Sequence, residues 1–434
     1  MKKLTLLLLL VVPLLTNAQG IAKNAYSLLS TYVNNKQFSG NVLIAQKGKI
    51  VFQKAYGYAD KEHNKLNTLQ TQFRAGSLTK MFTSTLIMQL VEQGKIALND
   101  PVSKYAANFK YGDKVTIKNL LSHTSGIRGN TSPGASTPVD MVNTFKSEPL
   151  GFTPGEQFEY NNFNYIMLAY IAQKVTGVPY PQLVKKHVFD KAGMVNSGID
   201  YKGRTAPDVA LGYMVDEKTN ELARMETGNI DAASGAGALY TTLGDLLKWS
   251  QAIDEHKVLK ASSFDLAFTP VQPGYGLGWT IRTEGNHVKT GHTGSIEGFM
   301  AEFMKFRNED VTIIFLANLL PPADNHLSRA LTQVAFNEPF EIETAKKEVL
   351  LPADVLNRYI GTYDMDGQKM VVSVTDGKLM VLAPGGDTVE LGASAPNKFF
   401  VKGPQIGIEF LETNGKVTAM YVDMRGGQKF VKTQ

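Results

Sequence analysis

The 434-residue chain contains no cysteine, only two tryptophans and seven scattered histidines. Without thiols it can form no disulfide, thiolate metal site or cysteine nucleophile. No H-E-x-x-H motif occurs, which disfavours a zinc enzyme, and we expect neither a metal nor another cofactor. A hydrophobic content of 43% with 20% charged residues is typical of a globular protein and excludes a disordered or fibrous one.

Charge of one sign is not concentrated anywhere in the chain. The formal net charge of +5 is spread over single lysines and isolated pairs. Because nucleic-acid-binding proteins present basic stripes or patches, we expect no nucleic-acid partner.

Long hydrophobic runs are also missing, apart from one at the N-terminus. The run Leu4–Leu15 follows two lysines and is far shorter than the ~20 residues of a membrane-spanning helix. Small residues at Thr16 and Ala18 suit leader peptidase, and no cysteine is present for lipid attachment. We therefore expect residues 1–18 to be a signal peptide cleaved near Ala18, which gives a periplasmic or secreted protein without a stable membrane anchor.

The hydrophobic pattern after this leader predicts strands at both ends of a long segment and helices between them. Residues 41–60 alternate as a β-hairpin, and a helix is predicted from Ser77 to about Gln93, before Gly94. Strand patterns return at 275–279 and 301–316. We expect an α/β catalytic domain over residues 19–339, with one sheet assembled from the two chain ends and an inserted helical lobe.

The last part of the chain, residues 346–434, has a different pattern. Short apolar runs alternate with turn pairs at Asp376-Gly377, Gly385-Gly386, Asn414-Gly415 and Gly426-Gly427. About eight strands in so short a segment favour a small closed antiparallel barrel, since an open sheet would leave its edges unprotected. We predict a C-terminal β-barrel domain of lipocalin-like type.

The first candidate for chemistry is the pair Ser77 and Lys80, the only Ser-x-x-Lys in the chain. Three residues apart at a helix start, the two side chains share one face. A serine hydroxyl is a weak nucleophile until a base takes its proton, and a lysine is a base only if burial or nearby cations lower its pKa. On its own the motif is equally consistent with a helix-capping serine and a solvated lysine.

Two later segments carry residues that complete such a site. Tyr160 and Asn162 lie between a Pro-Gly turn and an apolar helix; a tyrosine hydroxyl can pass a proton, and an amide can bond Lys80 and a substrate carbonyl. Alone, Tyr160 would more often be a core tyrosine with a polar tip.

The segment from His292 through Thr293 and Gly294 to Ser295 begins a strand pattern that continues to Gly298-Phe299. We expect an edge strand that lines the cleft, where Gly294 admits the substrate backbone and the N–H groups of Ser77 and Ser295 form an oxyanion hole. The overlapping Lys289-Thr290-Gly291 is a second candidate, set aside because of its spacing to Gly298.

These three motifs, in this order, resemble the serine β-lactamase and DD-peptidase superfamily, in particular its class C-like branch. Residues 121–126, 152–155 and 275–279 also resemble this family, and the likeness covers about residues 38–331. The fold this implies is the β-lactamase/transpeptidase-like one, an antiparallel sheet flanked by helices with an all-α lobe.

By the same resemblance, Ser77 forms an acyl-enzyme that water hydrolyses, and Lys80 and Tyr160 manage its protons. Asn162 orients the substrate, and His292 and Thr293 engage its carboxylate or polar end. The β-lactamases usually carry lysine at position 292. Because a largely neutral histidine does little to lower the pKa of a phenol from ~10, we expect Tyr160 to rest protonated and Lys80 to be the base.

Several alternatives stay open. A Ser-His-Asp hydrolase lacks its G-x-S-x-G elbow, and His123 is expected to be structural. A penicillin-binding sensor would use the same Ser77 without turnover. Among enzymes, the appended barrel favours a peptidase or esterase for small D-amino acid peptides or esters over a class C-type β-lactamase. The partner is then a small molecule or short peptide, and the oligomeric state is left open.

Overall fold

The computed structural model describes residues 2–131, 134–216, 219, 221–226, 228–320, 326–340, 348–365, 367–383, 386, 388–401, 406–423 and 428–433, with side chains from residue 18 onward except at 326. The chain divides into two compact units. One comprises Met1–Leu320 and Leu331–Phe340, and the other Pro321–Ala330 and Glu341–Gln434.

The helices differ widely in length, from single turns to the N-terminal helix. They are α1 (Lys2–Asn34), α2 (Thr79–Glu92), α3 (Ile117–Leu121), α4 (Pro138–Thr144), α5 (Asn162–Thr176), α6 (Tyr180–Val184), α7 (Asp190–Ala192), α8 (Ile230–Gly237), α9 (Leu243–Asp254), α10 (Ala261–Ala267), α11 (His326–Ala335) and α12 (Ala353–Asn357). Within the described ranges, no helix combines the length and apolar character needed to cross a membrane.

The strands of the first unit are mostly short, with the longest in one sheet. They are β1 (Gly40–Gln46), β2 (Lys49–Tyr56), β3 (Tyr58–Asp60), β4 (Lys65–Leu66), β5 (Phe73–Gly76), β6 (Gly129–Asn130), β7 (Lys146–Ser147), β8 (Gly198–Ile199), β9 (Tyr213–Val215), β10 (Leu222–Arg224), β11 (Leu239–Thr241), β12 (Thr280–Glu284), β13 (His287–Ile296), β14 (Phe299–Phe306), β15 (Val311–Ala317) and β16 (Leu319–Leu320).

The main sheet has six antiparallel strands in the order β12-β13-β14-β15-β1-β2. The predicted hairpin is confirmed as β1 and β2, and β1 pairs with β15 from the far end of the unit. Every residue of β15 is buried, as expected of a strand covered on both faces. The prediction of one sheet built from the two chain ends is therefore confirmed.

Helices from the segment between β2 and β12 form the helical lobe. In this lobe α5 packs against α2, α3, α4 and α8. The side chain of Asn161 caps α5 by accepting a hydrogen bond from Phe163 N, and Gly177, with φ 71°, ends it in the left-handed conformation. The cap at Asn161 fixes the start of α5 at Asn162, and Gly177 fixes its end.

Three predicted boundaries differ from the structure. The helix after Ser77 begins at Thr79, because residues 77 and 78 form a tighter turn in which Lys80 N bonds Ser77 O at 3.0 Å. Residues 275–279 form a buried loop, since Gly276 N bonds Trp279 O and Gly278 N bonds Leu121 O. The predicted strand over 301–316 is two strands, β14 and β15.

The strand that contains His292 also starts earlier than predicted. It is β13, which begins at His287 and includes Lys289-Thr290-Gly291, and Gly298, with φ 76°, turns the chain into β14. β13 is an inner strand of the sheet, but its pairing with β12 stops at Gly291. From His292 onward it extends beyond β12.

The second unit contains the predicted barrel. Its strands are β17 (Gly361–Met365), β18 (Gln368–Thr375), β19 (Lys378–Leu382), β20 (Thr388–Ala395), β21 (Lys398–Val401), β22 (Gly407–Thr413), β23 (Lys416–Val422) and β24 (Gln428–Lys432). They pair in sequence order and close between β17 and β24. The closed eight-stranded antiparallel barrel is thus confirmed.

Local turn chemistry explains how the barrel strands reverse. Asp376 and Gly377 have φ values of 50° and 74°, and Asn414 and Gly415 have 52° and 75°. Paired positive φ angles are those of the two-residue hairpin turns that favour Asp-Gly and Asn-Gly. Of the other predicted turn pairs, Gly385 and residues 426–427 lie outside the described residues.

Candidate active site

Ser77 lies at the junction between β5 and α2. Gly76, just before it, has φ 50°, and a Cβ there would lie 2.9 Å from Ser295 N. A side chain at position 76 would therefore collide with β13, and only glycine lets the two backbones meet. This junction brings the main chain of Gly76, the residue before Ser77, next to that of Ser295.

Lys80 points back from the first turn of α2 toward Ser77 and is fully buried. Its Nζ lies 2.9 Å from Ser77 Oγ, 2.8 Å from Asn162 Oδ1 and 2.7 Å from the carbonyl oxygen of Ala236. None of these partners is a carboxylate. Burial lowers the pKa of Lys80 well below its usual value, because nothing beside it compensates the desolvation of an ammonium ion.

This arrangement suits a neutral amine. Two of the three neighbours of Nζ, the oxygens of Asn162 and Ala236, are carbonyl oxygens that only accept hydrogen bonds. If Lys80 carries two protons, both are used on these oxygens, and the lone pair is left facing the hydroxyl of Ser77. The geometry therefore favours Lys80 as the acceptor of the Ser77 proton.

Tyr160 approaches Ser77 from a second direction and donates a hydrogen bond from its hydroxyl to Ser77 Oγ at 2.7 Å. Desolvation raises the pKa of Tyr160 to about 12, and the bond to Ser77 offsets only part of that effect. The phenol is therefore protonated at neutral pH. Lys80 Nζ also lies 4.7 Å from the centre of the Tyr160 ring.

His292 is buried on β13 and has a protein partner for each ring nitrogen. Its Nδ1 lies 2.6 Å from the carbonyl oxygen of Thr293, and its Nε2 lies 3.0 Å from the hydroxyl of Tyr275. A carbonyl only accepts, so Nδ1 carries the proton and Nε2 accepts from Tyr275. Burial lowers the pKa of His292 to about 3, and the ring is neutral.

The neighbours of His292 on β13 differ in exposure. Thr293 and Ser295 are exposed, whereas Gly294 is buried. A Cβ at Gly294 would lie 2.0 Å from the carbonyl oxygen of Ala75 on β5. Gly294 therefore makes room for the backbone of β5, whereas the sequence pattern predicts that it makes room for the substrate backbone.

The sequence did not point to Ala236, whose carbonyl holds Lys80. It lies in α8, where the helix is interrupted at Ser234 with φ 12° and ψ −104°. A Cβ at Gly235 would lie 2.6 Å from Tyr165 O, so the small side chains bring this kink against α5. The only sign of this kink in the sequence is the run of small residues Ala233-Ser234-Gly235-Ala236-Gly237.

The structure brings together Ser77, Lys80, Tyr160 and Asn162 by direct hydrogen-bond distances and places β13 beside them. Across the described ranges, no cluster of histidine, aspartate or glutamate side chains has a metal-binding arrangement. A serine flanked by a buried lysine of lowered pKa and a tyrosine hydroxyl, on an antiparallel sheet with a helical lobe, is the arrangement of the serine acyl-transferases and hydrolases.

Comparison with known proteins agrees with this class. The family model described as Beta-lactamase matches residues 27–336. Penicillin-binding protein 4* of Bacillus subtilis (strain 168) is 26% identical over 441 residues, which cover 93% of this chain and 97% of that protein. A second protein of the same strain, named as a penicillin-binding protein, PbpX, is 36% identical over 255 residues, covering 58% of this chain and 64% of PbpX.

Among solved structures, the octameric penicillin-binding protein homologue from Pyrococcus abyssi has the same fold, with a TM-score of 0.66, 23% identity and coverage of 94% of this chain and 99% of that one. The chain belongs to the Beta-lactamase family, in which the penicillin-binding-protein-like serine hydrolases are grouped.

Proposed function

We propose that the protein is an exported serine hydrolase that forms an acyl-enzyme on Ser77. The observation that carries this proposal is the position of Lys80 Nζ, 2.9 Å from Ser77 Oγ with its other two neighbours both carbonyl acceptors. Burial without a counterion lowers the pKa of Lys80 and so makes it a better proton acceptor, and general-base help is what a serine hydroxyl needs to attack a carbonyl.

The proton movements follow from the same distances. As Ser77 Oγ bonds to the substrate carbonyl carbon, its proton passes to Lys80 Nζ. When the bond to the leaving group breaks, the hydroxyl of Tyr160 donates a proton to that group, and the proton held by Lys80 restores the phenol. The N–H groups of Ser77 and Ser295 are the donors we assign to the developing oxyanion. Water then releases the acyl group.

For the substrate, we propose small D-amino acid peptides or esters. His292 is neutral, and both of its ring nitrogens already have protein partners, so it offers no cation for a carboxylate. Thr293 remains exposed beside it for a polar contact. The appended barrel favours a peptidase or esterase over a class C-type β-lactamase. Within that group, the uncharged His292 favours amides and esters without a carboxylate over peptides with a free C-terminal carboxylate.

A substrate panel with detection of the covalent intermediate tests this proposal. The mature protein and its Ser77→Ala variant are incubated with a fluorescent penicillin, a D-Ala-D-Ala peptide, D-amino acid amides and short acyl esters. Intact-mass measurement follows the acyl adduct, and chromatography follows the product. We expect adducts on the wild type alone and fastest turnover of amides or esters without a carboxylate.

Each other outcome has a definite meaning. Full activity of Ser77→Ala on every substrate would reject the acyl-enzyme proposal. Rapid turnover of the penicillin with no action on the other compounds would replace a peptidase or esterase by a class C-type β-lactamase. Stable stoichiometric labelling without turnover of any compound would identify a penicillin-binding sensor instead of a hydrolase.

A further inference from the structure

His123 lies just beyond α3 and contacts neither Ser77 nor Lys80 by a hydrogen bond, yet it packs directly behind Tyr160. The side chain is fully buried, and its ring centre lies 4.3 Å from that of Tyr160 and 5.1 Å from those of Tyr165 and Tyr275. Its backbone has φ 56°, in the left-handed region that histidine and asparagine tolerate better than most residues.

The residues on both sides of Tyr160 are anchored to His123 by their backbone N–H groups. The N–H of Glu159 donates to the carbonyl oxygen of His123 at 2.9 Å, and the N–H of Asn161 donates to His123 Nδ1 at 3.1 Å. With the ring contact to Tyr160 itself, His123 holds three consecutive residues, 159 to 161. Asn161 is also the cap of α5, so the start of the helix that carries Asn162 depends on the same contacts.

A second set of hydrogen bonds fixes which nitrogen of His123 carries the proton. Ser125 Oγ donates to Asn164 Oδ1 at 2.8 Å, which turns the Asn164 amide nitrogen toward His123 Nδ1 at 3.4 Å. Nδ1 thus faces two N–H donors, from Asn161 and Asn164, and must accept. The proton is therefore on Nε2, a buried atom without a hydrogen-bond partner in the described part of the chain.

An unpaired buried N–H is costly, which argues that the ring is kept for what its other nitrogen does. We propose that His123 is a positioning residue for Tyr160, which it holds mainly through the acceptor Nδ1 so that the phenol hydroxyl meets Ser77 Oγ. This inference rests on the proposed function of Tyr160 and Ser77. The inference goes beyond the proposed function because it assigns the geometry of the proton relay to a residue that touches no reacting atom.

Two substitutions separate the acceptor from the ring. His123→Asn retains an acceptor, Oδ1, at the place of Nδ1 and suits the left-handed backbone, whereas His123→Phe retains an aromatic ring and removes the acceptor. The rate constant for acylation by a fluorescent penicillin or an active ester is measured by intact mass, with thermal unfolding as a control. We expect His123→Phe to lower this rate constant roughly 100-fold, because small misplacements of catalytic groups have effects of that size. His123→Asn should remain within about fivefold of the wild type.

A double-mutant cycle distinguishes positioning from general destabilisation. If His123 acts through Tyr160, then adding His123→Phe to Tyr160→Phe lowers the acylation rate constant little further. If His123→Phe lowered the acylation rate constant by the same factor in the wild type and in Tyr160→Phe, the inference would be overturned. A wild-type acylation rate constant for His123→Phe would also overturn it. Incubation with the acylating probe for hours keeps slow variants measurable, because the acyl adduct accumulates.

A further test uses the wild-type protein alone and depends neither on the folding of a variant nor on activity. Ring ¹⁵N signals of selectively labelled histidine distinguish protonated from unprotonated nitrogens. We expect His123 to show an unprotonated Nδ1 and a protonated Nε2, and the opposite tautomer would overturn the inference. If no probe acylates Ser77, the proposed function fails, and this measurement still decides the role assigned to Nδ1.

Discussion

Replacing Lys80 by methionine removes the amine and keeps an unbranched side chain that is one atom shorter. Three contacts of Nζ are lost, to Ser77 Oγ, Asn162 Oδ1 and the carbonyl oxygen of Ala236. Loss of a general base lowers a rate by 10²–10⁴-fold, roughly 3 to 5 kcal/mol on the activation barrier. We expect the acylation rate constant of Lys80→Met to fall by that factor.

The same substitution has a smaller and pH-dependent effect on folding. Two buried carbonyl oxygens lose a donor, at a cost of about 1–3 kcal/mol each, but the buried amine no longer has to be desolvated, which offsets part of it. Burial lowers the pKa of Lys80, so the unfolded chain binds a proton that the folded chain does not. Wild-type stability therefore rises with pH through the interval that ends near the unfolded pKa of ~10.4, and Lys80→Met should lose this contribution.

The assay is a time course of the intact mass with a fluorescent penicillin or an active ester, alongside urea unfolding from neutral to alkaline pH. Lys305→Met is a matched control, because Lys305 is also buried but bonds Asp254 Oδ2 at 2.7 Å and Ser250 Oγ at 2.9 Å, in α9. It should lose stability and keep its acylation rate. If Lys80→Met acylated at the wild-type rate while Tyr160→Phe did not acylate, our choice of base would be wrong.

Three further predictions concern other parts of the chain. Gly294→Ala places a methyl group 2.0 Å from Ala75 O and should destabilise the protein by about 1–3 kcal/mol or more in urea unfolding, whereas Gly244→Ala, with open space around it, should not. Burial works against the charge of His287, but Glu309 and Glu338 outweigh this effect and raise its pKa. The wild type should therefore be more stable than His287→Gln below pH ~6.5, and this difference in unfolding free energy should disappear as pH rises through the folded pKa. An equal difference at pH ~9 would contradict the prediction. Protein recovered from an exporting bacterial host should begin at Gln19 by mass, and a retained leader would reject the cleavage prediction.

Features governed by neighbouring residues were predictable from the sequence. The hairpin of β1 and β2, the Asp-Gly and Asn-Gly turns of the barrel and the helix after Tyr160 all depend on local alternation, turn residues and caps. The closeness of Ser77 and Lys80 has the same origin, because a helical turn brings residues three apart together. The order of the motifs was sufficient to recognise the family.

Boundaries and orientations were predicted less well, because they depend on packing. The alternation at 275–279 resembles a strand, but these residues bury alternate side chains in a loop held by Leu121 O and by their own backbone. Likewise, His292 was identified by its spacing, while the sequence contained no sign that Tyr275 and Thr293 O take both of its ring nitrogens.

The sequence by itself determined which residue types are available, a serine, a lysine, a tyrosine and an asparagine in a recognisable order. Only the tertiary structure decided their chemical states. The pKa of Lys80 is lowered because it is buried where α8 and α5 place carbonyl oxygens rather than carboxylates around it, and His292 is neutral because it is buried. The physical reason is that a pKa and a hydrogen-bond pattern depend on groups far apart in the chain, which no local pattern specifies.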